Sequence, residues 1–148
     1  MDIVRISAVE SIPLARPLLV EHWEEIARNK DLMVLAPDED TYAALEKAGI
    51  LFTLGAFDGD ELVGYSATMV HQHLHYKALR YATNDVLFVS KRHRQGRLGV
   101  RLMRETERIA KERGAQLMLW HAKTDTPLEA ILPRMGYAVQ DVIFSKAL

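Results

Sequence analysis

The sequence predicts a single mixed α/β domain, and three observations carry that prediction. With 148 residues, the chain is long enough for one hydrophobic core and too short for two. Its apolar residues switch between period-two runs and three- and four-residue steps, which gives the order β-α-α-β-β-β-α-β-α-β. Near the middle, Val86-Leu-Phe-Val-Ser-Lys-Arg-His-Arg-Gln-Gly-Arg-Leu-Gly-Val-Arg-Leu-Met103 passes from an apolar strand through a basic, glycine-containing turn into an amphipathic helix.

Each element has its own signal. Ile3 to Val9 reads as a first strand and Ile12 to Arg28 as a helix, with Leu14, Leu18, Leu19, Trp23, Ile26 and Ala27 on its apolar face. A second helix follows Pro37, where Asp38, Glu39 and Asp40 suit the positive end of the helix dipole, and stops at Gly49. Ile50 to Phe57 and Leu62 to Tyr76 flank Asp58-Gly-Asp60, a turn sequence between apolar runs that predicts a hairpin. Tyr81 to Val89 is the next strand. Leu98 to Arg113 is a helix with a narrow buried stripe at Leu98, Leu102, Met103, Thr106, Ile109 and Ala110. Gln116 to His121 forms a short strand, Thr126-Pro-Leu128 opens a helix that Pro133 and Gly136 interrupt, and Tyr137 to Ser145 forms a last strand.

Composition narrows the chemistry. The sequence contains no cysteine, which excludes disulfides, thiolate zinc sites and a cysteine-linked acyl-enzyme. The formal net charge is -1, the wrong balance for a protein whose affinity comes from neutralising nucleic-acid phosphates, and no aromatic residues interleave the basic ones. No apolar run approaches membrane-spanning length. Met1-Asp-Ile-Val-Arg-Ile lacks the basic-then-apolar build of a secretory signal, so the expectation is a cytoplasmic protein that binds neither membrane nor nucleic acid. Yet the charge is unevenly spread. Lys91, Arg92, Arg94, Arg97, Arg101, Arg104, Arg108, Lys111 and Arg113 make up close to half of the 19 basic residues.

That concentration lies at the strand–turn–helix element, where it has a chemical use. The first N–H groups of a helix have no intrahelical partner and carry the positive end of its dipole, so a strand feeding such a turn presents several donors to an anion. Gly96 and Gly99 let the backbone approach it, and Arg94 and Arg97 are placed for a pyrophosphate. The Gly-x-Gly-x-x-Gly of dinucleotide folds is absent, as is the Lys-Ser/Thr ending of a P-loop.

Arg94-Gln-Gly-Arg-Leu-Gly99 after the strand Leu87-Phe-Val89 resembles the Arg/Gln-x-x-Gly-x-Gly/Ala acyl-coenzyme A signature of the GNAT superfamily of N-acetyltransferases. Arg97 stands where that family usually has its middle glycine. Leu132-Pro-Arg-Met-Gly-Tyr137 resembles the family's late Leu-Tyr-x-Lys-x-Gly-Phe segment, with Leu132 in place of the tyrosine that protonates the departing thiolate in many members. The resemblance spans essentially the whole chain. It implies a central mixed, mostly antiparallel sheet flanked by helices and opening in a V, acetyl-coenzyme A as cosubstrate, and transfer of the acetyl group to an amine. It places the cofactor against Leu87, Phe88, Val89, Arg94, Gln95, Gly96, Arg97, Leu98, Gly99 and Val100. It also favours a homodimer. The alternative is a non-catalytic acyl-coenzyme A-binding module of the same fold, for which Leu132 is the argument. A thiolate whose free pKa is roughly 8.5 leaves without a dedicated acid.

The remaining candidates are for the acceptor. An ammonium must lose a proton before its nitrogen can attack, and Asp85, on the strand that leads into the turn and on one face with Leu87 and Val89, is the candidate base. His71, His73 and His75 fall on one face of a strand at steps of roughly 7 Å, too far apart to enclose one metal ion. No metal is therefore expected, and the resemblance, which puts the end of this strand near the splayed centre of the sheet, implies that His73 and His75, with His121, belong to the acceptor pocket. Glu21, Glu24, Glu25 and Asp38 to Asp40 lie in the N-terminal helical region that, as the resemblance implies, forms one wall of the acceptor site, so a cationic small molecule or a lysine side chain is the expected acceptor.

Overall fold

The computed structural model describes residues 1–148 as a five-stranded sheet with helices on both faces. In chain order the elements are β1 (Asp2–Ile6), α1 (Ala8–Ile26), α2 (Glu39–Lys47), β2 (Leu51–Asp58), β3 (Glu61–Gln72), β4 (Arg80–Val89), α3 (Leu98–Glu112), β5 (Leu117–Leu119) and α4 (Pro127–Ile131). The strands lie in sequence order across the sheet. β1 to β4 are antiparallel neighbours, and β5 joins β4 in parallel after the α3 crossover.

Two apolar layers separate the faces. On one side Phe52, Leu54, Ala56, Val63, Val70, Ala82 and Val89 pack against Leu98, Leu102, Ile109 and Ala110 of α3. Burying aliphatic and aromatic side chains of this size is worth roughly 1.5–3 kcal/mol each. The expected α3 stripe is buried at every position. On the other side Leu62, Tyr65 and Phe88 meet Ala15 and Leu18 of α1.

Several element boundaries differ from expectation. The Ser7-Ala-Val-Glu10 segment is a helix start and not the end of β1. Ser7 caps α1 by accepting the Glu10 N–H, so Val9 is helical. The buried stripe of α1 is then Ile12, Ala15, Leu18 and His22, while Leu14 is half exposed. β3 ends at Gln72; past it His73 N–H bonds Leu79 O and Leu79 N–H bonds Tyr76 O, both at 2.8 Å, closing a β3–β4 loop that contains His73 and His75.

The predicted last strand does not form. Residues 137–148 have no regular secondary structure, and Val139, Val142, Ile143 and Phe144 are at least 70% exposed. A strand needs a ladder, and the adjacent edge element, β5, is only three residues long.

Candidate active site

β4 is the element on which the site is built, and its irregularity decides where the side chains go. Ala67 pairs with Val86 but Thr68 pairs with Asn84, so Asp85 is the extra residue of a β-bulge. The bulge shifts the alternation. Leu87 and Val89 pack on the α3 side, while the Asp85 carboxylate accepts a hydrogen bond from the Tyr42 hydroxyl of α2. Asp85 therefore does not share a face with Leu87 and Val89, because the bulge turns both Asp85 and Val86 toward α1 and α2.

Around Asp85 lies a group of half-buried and buried polar side chains. Burial and the hydrogen bond to Asp85 both push the Tyr42 hydroxyl well above the usual phenol range, which keeps it protonated as a donor. Further toward α1, Nδ1 of His22 and the Tyr65 hydroxyl share a 2.6 Å hydrogen bond, and the imidazole stacks on Phe88 with ring centroids 4.4 Å apart. Burial lowers the His22 pKa to about 4, so the ring is neutral. Burial raises Tyr65 as well. The sequence reading did not single out Tyr42 or His22. A histidine in register with Leu18 on the buried face of α1 was the available signal for the second.

Beyond β4 the chain turns through a short 3₁₀ segment, Lys91–His93, into α3. None of the main-chain N–H groups of residues 95–100 has an acceptor within the protein. Gln95, Gly96 and Arg97 are exposed. A Cβ added at Gly96 or Gly99 would meet nothing within 4 Å, and neither residue has the positive φ that demands glycine. The fold itself therefore does not require these two glycines. What they leave clear is the surface over a row of unpaired donors, where a Cβ would stand in the way of an approaching anion.

The basic side chains of the turn divide into engaged and free. Arg94 is engaged: its guanidinium pairs with both carboxylate oxygens of Glu25 at 2.7 and 2.8 Å, donates to Val89 O at 2.7 Å and lies over the Phe88 ring. This bidentate pair holds the Glu25 carboxyl below its ordinary range. Lys91 N–H donates to Glu21 at 2.9 Å, and Arg92 is bonded to Glu61. Arg97 has no acidic partner or hydrogen-bond acceptor in the protein. Arg94 thus anchors the turn to α1, and the Arg97 guanidinium is unpaired.

β4 and β5 part in front of this turn. Their parallel ladder covers Tyr81 to Thr83 against Leu117 to Leu119 and then ends. From residue 86 to residue 89, β4 is paired on its β3 side only. At the fork the Asn84 side chain accepts the His121 N–H at 2.6 Å and donates to His121 O at 3.2 Å. His121 is exposed beside the fork.

The other histidines lie elsewhere. His71, His73 and His75 gather with Tyr76 and Tyr81 at the β3–β4 loop, where His71 pairs with Tyr81 across the sheet. Tyr81 precedes Asp85 by four residues of strand, about 13 Å. The structure brings His121, but neither His73 nor His75, to the Asp85 region. The three rings are not grouped as ligands of one ion. Of the acidic residues expected to attract a cationic acceptor, three have internal partners: Glu25 holds Arg94, Glu21 holds Lys91 N–H, and Asp38 caps α2 through Thr41.

With a strand ending at a fork, a donor-rich glycine turn and a following helix, the chain has the build of an acyltransferase. The model of the Acetyltransferase (GNAT) family matches residues 17–137, and the chain belongs to that family. No curated protein sequence matches it significantly. Among solved structures, a GCN5-related N-acetyltransferase from Ralstonia eutropha JMP134 superposes with a TM-score of 0.80 at 18% identity, over 99% of this chain and 97% of the other. An aminoglycoside acetyltransferase from an uncultured soil metagenomic sample gives 0.77 at 19% identity, over 99% and 97%. A ribosomal-protein-alanine N-acetyltransferase from Brucella melitensis biovar Abortus 2308 gives 0.70 at 19% identity, over 100% and 99%. At these identities the likeness is one of fold. No helix is long and apolar enough to cross a membrane.

Proposed function

We propose that this acyltransferase takes the acetyl group of acetyl-coenzyme A and transfers it directly to an amine, either of a small molecule or of a lysine side chain. The observation that carries the reading is the turn at residues 95–100, where a run of unpaired N–H donors lies under two glycines that the fold does not need. A pyrophosphate is the ligand such a surface suits, and Arg97 supplies the mobile positive charge over it. The free edge of β4 at residues 86–89 offers main-chain groups to the amides of a pantetheine arm. When bound, the cosubstrate contributes an acyl group activated as a thioester, and the chain's own residues do the rest.

Asp85 is the base in this reading. An incoming ammonium gives its proton to the carboxylate, which frees the nitrogen lone pair for attack on the acyl carbon. Tyr42 fixes the carboxylate by donating to Oδ2, which leaves Oδ1 for the acceptor. His121 lines the approach beside the fork. This Tyr42–Asp85 pair favours catalysis over a binding-only module, because a carboxylate held exposed on a bulge contributes nothing to the packed core.

Isothermal titration with acetyl-coenzyme A and coenzyme A tests the first half, and acetyl transfer to a panel of amines tests the second. The reading requires binding of both ligands by the parent protein and loss of binding in Gly99→Val. Equal affinity in Gly99→Val would move the site away from the turn.

A further inference from the structure

The fork between β4 and β5 is bridged by the side chain of Asn84. Parallel neighbours lie about 4.8 Å apart while their ladder runs, and beyond the bulge residue Asp85 the β4 sequence Val86-Leu-Phe-Val89 is again apolar strand. The ladder stops where Asn84 puts its amide between the two backbones. Oδ1 accepts the His121 N–H at 2.6 Å and Nδ2 donates to His121 O at 3.2 Å, so the side chain stands in for the next rung of the ladder. That rung is longer than a main-chain one by a Cβ and an amide group. Asn84 is only 4% exposed. Asparagine is depleted in strands, and a buried one with an apolar alternative of similar volume needs a reason.

We infer that Asn84 is a spacer residue: it satisfies the His121 main chain at a distance and thereby holds β4 and β5 apart along residues 84–89. The inference rests on the reading that the gap receives the acyl-coenzyme A arm, and it names the residue on which the gap's width depends. Asn84 acts through the backbone and does not touch the reacting groups. It is followed at once by the bulge residue Asp85, so one dipeptide both opens the slot and sets the carboxylate beside Tyr42. Replacing the amide with an apolar side chain leaves the His121 N–H and C=O without partners, and the cheapest remedy is for the strands to close and pair directly.

The test uses Asn84→Val, with Asn84→Ala alongside as the variant that introduces the least bulk. Native-state hydrogen exchange on the unliganded proteins is compared with calorimetric affinity for coenzyme A and with melting temperature. Closure predicts at least tenfold slower exchange of the amides at residues 121–123, a melting temperature within about 3 °C of the parent or above it, and at least tenfold weaker coenzyme A binding. A generally damaged fold would instead speed exchange and lower the melting temperature as binding falls. Unchanged coenzyme A affinity, or no gain in protection at residues 121–123 in either variant, overturns the proposal. If the parent protein binds no coenzyme A, the proposed cosubstrate is refuted separately and the exchange measurement still decides whether Asn84 sets the gap.

Discussion

Acidification should destabilise this protein through one residue, His22, whose imidazole is buried against Phe88 and bonded to Tyr65. Its pKa is about 4 in the fold against an ordinary value of 6.5, with burial as the main cause. Between those values the unfolded chain binds the proton and the native one refuses it, so stability rises with pH across that interval. The stabilisation is complete above about pH 6.5 and is lost as pH falls toward 4. From pH 7.5 to pH 5 the loss attributable to His22 is about 2 kcal/mol. For a chain of this length, that lowers the melting temperature by about 4–8 °C. The assay is urea unfolding at the two pH values for the parent and for His22→Gln, which keeps a polar side chain and cannot titrate. The variant should be less stable than the parent at pH 7.5, yet lose about 2 kcal/mol less on acidification. The Glu25 carboxyl, held low by Arg94, titrates below this window, and the other histidines are common to both proteins. Parallel pH dependences in parent and variant would refute the assignment of the buried neutral ring.

Further outcomes follow from the same geometry. Asp85→Asn should slow acetyl transfer by roughly 10²-fold or more with coenzyme A affinity unchanged, and Tyr42→Phe should lower kcat by about tenfold by releasing the carboxylate; steady-state kinetics across pH check both. Gly99→Val should retain the parental circular dichroism spectrum, since a Cβ at this position meets nothing within 4 Å, and should lose coenzyme A binding in calorimetry. Arg94 and Arg97 should separate. Arg94→Ala breaks the pair with Glu25 and should cost about 1.5–3 kcal/mol of stability in denaturant titration, whereas Arg97→Ala should leave stability alone and weaken coenzyme A binding by about tenfold or more.

What was legible in the sequence was local. The strand–turn–helix element and the α3 stripe depend on spacing within a dozen residues, so Leu98, Leu102, Met103, Thr106, Ile109 and Ala110 were all readable. The glycines at 96 and 99 were visible as a turn. What they leave exposed depends on which donors the rest of the fold satisfies. The pairing of Arg94 with Glu25 joins residues 69 positions apart, and no pattern announces it. The bulge at Asp85 arises from register against β3, which period-two reasoning cannot see. The histidine segment continued the alternation of β3, but the chain turned at His73 to make the hairpin loop. The alternation of Tyr137 to Ser145 described a strand without an edge to pair with, because β5 is so short.

Amide NMR of the uniformly ¹⁵N-labelled protein titrated with coenzyme A addresses the central claim most directly, since the proposed ligands are the N–H groups themselves. The account predicts that the largest shift changes fall at residues 95–100, with a second, smaller set along residues 86–89, and that the β3–β4 loop around His73 and His75 stays unperturbed. Binding that leaves residues 95–100 unshifted, or that centres on the histidine loop, would contradict it.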